Sequence, residues 1–183
     1  QHAFENNANC VQIDDDLVGV RVNNFDGKNG DRASFKDAYA DFISFAESSK
    51  ARLIGIPPTN NPFFAKNEVQ NNAFIIASFM FCKPTSLRFD KDLKVKEDYD
   101  YTLQHIERYG LVQRFQKYLF TFRHYSNSGG VVDYRNDEIE NESMMYLLKK
   151  WGGALRMNPK RKNEVLLNRN LSKYLITPDI TGD

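Results

Sequence analysis

Three consecutive carboxylates, Asp14-Asp15-Asp16, follow the apolar stretch Cys10-Val11-Gln12-Ile13 and precede Leu17, Val18 and Val20. A buried strand that stops at a cluster of acids presents them at the C-terminal edge of its sheet, where open α/β sheets bind ligands. Three neighbouring carboxylates repel one another, and a shared divalent cation relieves that repulsion. Hard oxygen ligands of this kind suit Mg²⁺ or Mn²⁺, ions that commonly carry a substrate diphosphate. Acidic runs also occur as solvated turns with no ligand. The position directly after a strand, and a second acidic cluster further on, favour the metal reading.

That second cluster is Glu97, Asp98 and Asp100, at the start of a helical segment. Acids complement the exposed N–H groups and positive dipole end of a helix N-terminus, which is reason enough for their presence. The functional alternative is a general base, Asp98 with Glu97 supporting it, that takes a proton from an attacking hydroxyl. Asp100 is expected to cap the helix or to orient an acceptor.

The elements that must position these groups follow from periodicity. Cys10 to Ile13 is a strand, and Val20 to Arg32, rich in Asn, Gly and Asp, reads as a loop. Ser34 caps a helix over Phe35 to Ser48, with an apolar face at Phe35, Ala38, Tyr39, Phe42, Ile43, Phe45 and Ala46. Arg52 to Ile56 is a short strand ended by Pro57-Pro58, and Thr59 to Asn72 is a long loop of the kind that often binds ligands. Ala73 to Cys82, the most apolar run, reads as a central strand. Gly110 closes the helix that begins near Glu97, and Leu111 to His124 is strand-like. Ser126 to Gly130 is a tight polar loop, and Asp137 to Trp151 is a helix closing at Gly152-Gly153.

The 183 residues suggest one domain over 1–175 and a polar tail over 176–183. A 41% hydrophobic, 13% aromatic composition argues against disorder, and a net charge of +1 excludes polyanion binding by overall charge. Cys10 and Cys82 lack CxxC partners and read as buried thiols in a reducing, cytoplasmic compartment. No apolar run is long enough to span a membrane. The chain begins with Gln1 rather than Met and enters the acidic strand almost at once, which suggests a piece of a longer protein.

An apolar strand ending in Asp14-Asp15-Asp16, followed by Glu97-Asp98-Tyr99-Asp100 opening a helix, resembles a glycosyltransferase of the GT-A fold, with a DxD metal motif and an ED motif. Glu97-Asp98-Tyr99 leading into Thr102-Leu103, Ser126-Asn127-Ser128-Gly129-Gly130, and Trp151-Gly152-Gly153 followed by Arg156 are similar to the phage TET-associated glycosyltransferases. The likeness runs from Cys10 to Asn168. It implies an α/β fold with a GT-A-like mixed sheet flanked by helices, here the C-terminal two-thirds of such a domain without its N-terminal nucleotide-binding strands. It implies a hexosyltransferase that uses a UDP-sugar or similar nucleotide sugar with Mn²⁺ or Mg²⁺. The acceptor would be DNA carrying hydroxymethylated pyrimidines, and the compartment the cytoplasm, that of the host if a phage encodes the chain. Asp14 and Asp16 would hold the metal or the donor, Asp15 would be a ligand or an orienting neighbour, and Asp98 and Glu97 would be catalytic. Arg156 would contact the donor diphosphate. His124 is a third metal-ligand candidate, although a lone His also commonly makes a local hydrogen bond. Ser126 to Gly130 either approaches phosphates through backbone N–H groups or is only a turn.

Eight cations, among them Lys160-Arg161-Lys162, lie between Lys149 and Lys173 against the single acid Glu164. They form either a polyanion site or a solvated basic face. Tyr99, Tyr101, Phe63 and Phe64 could stack on bases. Two other functions remain open: the same fold acting on a saccharide, lipid or protein acceptor, and a non-catalytic nucleic-acid-binding module.

Overall fold

The strand that leads to the acidic triplet is the edge of a five-stranded mixed sheet. The computed structural model describes residues 2–123 and 136–175. Its contacts divide the chain into two compact units, Gln1–Ser86 with Leu111–His124, and Leu87–Gly110 with Tyr125–Asp183.

The first unit opens with a short helix α1 (His2–Glu5), then β1 (Cys10–Ile13), β2 (Leu17–Asn23), β3 (Asn29–Arg32), α2 (Phe35–Ser48), β4 (Leu53–Gly55), β5 (Val69–Asn71) and β6 (Phe79–Cys82). After the chain returns from the second unit it adds β7 (Gln113–Phe115) and β8 (Tyr118–Phe122), the second unit's α3 (Glu97–Tyr109) lying between β6 and β7 in sequence. The sheet order is β1-β6-β4-β7-β5, with β4 and β7 parallel and the other neighbours antiparallel. A second, antiparallel sheet has the order β3-β2-β8. Every residue of β6 is buried, as suits an interior strand covered on both faces. Phe42 of α2 packs its ring 4.4 Å from Phe79, and Ala38 and Ala46 on the same helix face are fully buried. A mixed sheet flanked by helices is thus present. Cys10 stands opposite Cys82 on the ladder, and no disulfide joins them.

Three expectations are corrected. Val20 to Arg32 is a hairpin of β2 and β3 rather than a loop. Register shifts interrupt the pairing of Leu17 to Asn23, and Gly30 is required where a Cβ would lie 2.1 Å from Val22 O. Ala73 to Cys82 becomes strand only from Phe79. The preceding residues bring Ile75 across β4, where Gly55 leaves room: a Cβ there would meet Ile75 Cγ2 at 2.4 Å. Leu111 to His124 contains two strands in two different sheets, β7 and β8, with a corner at Gln116-Lys117. The long loop after Pro58 also carries a 3₁₀ turn at Pro62–Phe64 and ends in β5.

Asn23 fastens that corner. Its buried side-chain amide donates to Ala65 O at 2.8 Å and Gln116 O at 2.9 Å, and its Oδ1 accepts from Phe25 N at 3.1 Å. Asn23→Ala leaves two carbonyls without this donor and should cost about 2–4 kcal/mol, read as a lower urea midpoint at constant slope.

The second unit contains α3, α4 (Asp137–Trp151) and an antiparallel hairpin of β9 (Leu155–Met157) and β10 (Val165–Leu167). Gly110 ends α3 in the left-handed region at φ 71°, its N–H donating to Ile106 O. Asn136 caps α4 by accepting from Glu138 N and Ile139 N. Residues 155–175 thus contain the β9–β10 hairpin and a 3₁₀ turn at Leu171–Lys173. No helix among the described residues is long and apolar enough to cross a membrane.

Candidate active site

β1 and β4 both run antiparallel to β6, and β4 runs parallel to β7, so these three strands end at one edge. Asp14 lies there, its N–H donating to Ser78 O at 2.9 Å, and Asp15-Asp16 turn the chain into β2. Arg123 N donates to Asp16 O at 2.9 Å, which ties the turn to the end of β8. A cavity of about 190 Å³ opens near these strand ends, with Pro58, Asn60, Ile76, Ser78, Thr121 and Phe122 among its walls and none of the three acids lining it. Asn60 Nδ2 donates to Thr121 Oγ1 at 3.0 Å within that wall.

Asp14 and Asp15 are exposed, but Asp16 Oδ1 is buried and has no hydrogen-bond partner among the described residues. A buried carboxylate oxygen left unpartnered is costly. A hard cation at this position would remove that cost, so the residues present fit one. No group of three or more His, Cys, Asp or Glu among the described residues is arranged to hold a metal ion. The fit is therefore to a cation bound by one or two carboxylates and completed by water and substrate phosphate, the habit of Mg²⁺, rather than to a protein cage. His124 and Ser126 to Gly130 lie outside the described residues.

The ED cluster belongs to the second unit. Glu97 and Asp98 are half-buried in the first turn of α3, and Asp98 Oδ1 accepts from Tyr99 N at 3.0 Å. Burial pushes the Tyr99 hydroxyl well above its ordinary range, and the charges of Asp98 and Glu164 push it further, against the opposing effect of Arg161. Tyr99 therefore stays a neutral hydroxyl beside Asp98.

Asp100 is neither a cap nor an exposed acceptor contact. Its carboxylate is fully buried and accepts from Trp151 Nε1 at 2.7 Å, Lys150 Nζ at 2.8 Å and Gln104 Nε2 at 2.5 Å. It pins α3 to the end of α4, which gives the Trp of the Trp-Gly-Gly sequence a structural role. Lys150 also reaches Asp90 at 2.6 Å, and Tyr146 OH donates to the same Asp90 oxygen at 2.9 Å. The Lys150 hydrogen bond, with the Asp92 N–H and Tyr146, holds the Asp90 carboxyl below the usual carboxylate range. Because the folded value is depressed, Asp90 stabilises above its unfolded value of 3.8, and the contribution is lost as pH falls through the folded value. Asp90→Asn should thus lower the melting temperature by about 2–4 °C near neutral pH and by nothing at about pH 2, measured by thermal melts across pH.

Among the aromatic candidates, Phe63 and Phe64 are 58% and 63% exposed and remain available for stacking. Tyr101 is not: it is 3% exposed, packed 4.4 Å from both Phe89 and His105. Of the cationic run, Arg161 pairs with Glu164 and Lys162 with Asp137, whereas Arg156, on β9, lines a cavity with Arg169 and Lys173. Sequence reasoning missed Ser78, whose placement depends on strand register. It also missed Arg114 on β7, which burial pushes down to about 10 and which donates to Gln116 and Gln70 side chains.

The structure thus places Asp14, Asp15 and Asp16 in the first unit and Glu97, Asp98 and Arg156 in the second. No protein-family model, curated protein or solved structure matches the chain.

Proposed function

We propose that the chain is a metal-dependent glycosyltransferase that moves a hexose from a nucleotide sugar, such as a UDP-sugar, to a hydroxymethylated pyrimidine in DNA. The observation that carries the reading is the buried Asp16 Oδ1, without a hydrogen-bond partner among the described residues, in a triplet of acids at the strand ends. Asp14 and Asp16 would hold Mn²⁺ or Mg²⁺, with Asp15 exposed next to them. The cation, when bound, supplies the charge that neutralises the departing diphosphate. In the second unit, Asp98 is the proposed base for the proton of an acceptor hydroxymethyl group, with Glu97 beside it in the same helical turn. In duplex DNA the acceptor base would have to leave the stack to reach that carboxylate. The free thiols of Cys10 and Cys82 favour a reducing, cytoplasmic setting for the reaction.

Mass spectrometry of an oligonucleotide carrying 5-hydroxymethylcytosine, after incubation with the protein, Mn²⁺ and a UDP-hexose, tests this. Expected is a gain of one hexose per modified base, absent with Asp16→Asn and absent with unmodified cytosine. No gain on the oligonucleotide, with hexose appearing on a saccharide, lipid or protein acceptor, moves the reading to that acceptor class. No transfer at all, with DNA binding kept, leaves the nucleic-acid-binding module, which the cationic cavity of the second unit favours.

A further inference from the structure

We infer that the cavity lined by Arg156, Arg169, Lys173 and Tyr174 grips the phosphodiester backbone of single-stranded DNA and stacks one of its bases on the Tyr174 ring. This deepens the proposed function by naming where its DNA is held, and rests on that reading for the choice of DNA as partner.

The argument starts from which cations are already neutralised. Lys150 is bound to Asp90 and Asp100, Arg161 to Glu164 and Lys162 to Asp137. Arg156 comes from β9, and Arg169 and Lys173 from the segment after β10, yet all three line one cavity of about 310 Å³. Its remaining walls are Asn168, Asn170 and Tyr174, so no acid among the described residues lines it. None of the three cations forms an ion pair with a described residue. Like charges gathered without a counter-charge repel, and a polyanion that spans them removes the repulsion while releasing its own counterions.

The aromatic ring decides among polyanions. Tyr174 is 51% exposed, although a ring of this size usually buries more. It is nevertheless seated: a Cβ on Gly153 would lie 2.3 Å from Tyr174 Cε1, so the ring rests directly against that glycine. The Asn168 side-chain amide donates to Gly153 O and steadies the seat. A fixed, half-exposed ring beside three cations is the combination that binds single strands, where unstacked bases offer a π-face and the backbone follows the positive charge. An acidic peptide or a free phosphate would use the cations and leave the ring idle. The Lys160-Arg161-Lys162 run, the more conspicuous feature of the sequence, is not the site, because two of its three members are engaged by acids.

The test is fluorescence anisotropy with a short, labelled, single-stranded oligonucleotide that carries no hydroxymethyl base, titrated at several salt concentrations. Arg156→Gln/Arg169→Gln/Lys173→Gln should weaken binding at least tenfold and flatten the dependence of log K on log salt by about 2. Tyr174→Ala should weaken it about fivefold or more with the salt slope unchanged, and Gly153→Ala, which unseats the ring, should act in the same direction. Lys160→Gln/Lys162→Gln should stay within about twofold. Equal loss in that control and none in the triple variant overturns the inference. So does a triple variant that loses UDP binding and keeps the oligonucleotide. Melting curves check that the variants fold; if the triple variant does not, photocrosslinking of a 5-iodouracil oligonucleotide to the wild type decides, with an adduct on Tyr174 expected and adducts only elsewhere contradicting. Because the probe has no acceptor group, a failure of sugar transfer with binding intact sinks only the transferase reading. Transfer with the oligonucleotide bound elsewhere sinks only this one.

Discussion

Asp16→Asn abolishes Mn²⁺-dependent sugar transfer, by about 10³-fold or more, and at the same time leaves the metal-free protein as stable as before or up to about 1 kcal/mol more stable. The two effects have one cause. In the metal-free chain Asp16 Oδ1 is buried without a partner among the described residues, so a charged oxygen there opposes folding. With the cation bound, the same oxygen is a ligand and the charge is needed. A residue that costs stability and is needed for activity has the behaviour expected of a functional site rather than a packing residue. Saturating Mn²⁺ with UDP should raise the wild-type melting temperature by about 5–10 °C and the variant's by much less. A variant that is clearly less stable without metal would mean that Asp16 is a structural residue whose partner is something else.

The second large effect is on folding. Asp100→Ala removes the acceptor of Trp151 Nε1, Lys150 and Gln104 at once from a fully buried position. Removing this buried acceptor should cost about 3–4 kcal/mol, chiefly because the buried Trp151 N–H loses its partner, while Lys150 keeps its pair with Asp90. Native domains have about 5–15 kcal/mol in total, so calorimetry should show the second unit melting about 10 °C lower or lost at ambient temperature. Trp151→Phe keeps an aromatic ring but loses the hydrogen bond and part of the buried indole volume, and should cost less, about 2–3 kcal/mol. Similar, small losses for both would show that the Asp100 cluster does not hold α3 against α4.

The helices were legible because each carries its own boundary chemistry. Ser34 takes the N-cap position of the helix that runs to Ser48, although without the expected side-chain cap hydrogen bond, Gly110 supplies the left-handed residue that ends α3, and Gly152 follows Trp151 at the end of α4. The strands were less so, since pairing decides them and pairing is non-local. Asn29-Gly30 has turn composition but lies in β3, where a glycine is needed against Val22 O. Ala73 to Ser78 has strand composition but no ladder, because Ile75 is used to cover Gly55. The acidic triplet was visible through its neighbours, an apolar strand on each side. The role of Asp100 was not, since its main partner lies 51 positions away in Trp151. The same holds for the cations: a contiguous Lys-Arg-Lys run stands out in sequence, whereas Arg156, Arg169 and Lys173 meet only when β9 and β10 fold back on each other.

The central claim is that the turn at Asp14 to Asp16 holds a divalent cation together with a nucleoside diphosphate. Electron paramagnetic resonance of Mn²⁺ tests it directly, because protein-bound Mn²⁺ loses the sharp signal of the free ion. With UDP present, the wild type and Asp90→Asn should each take up one Mn²⁺ per chain, and Asp16→Asn should take up none. Uptake by Asp16→Asn equal to that of the wild type, or no uptake by any of them, would contradict the account.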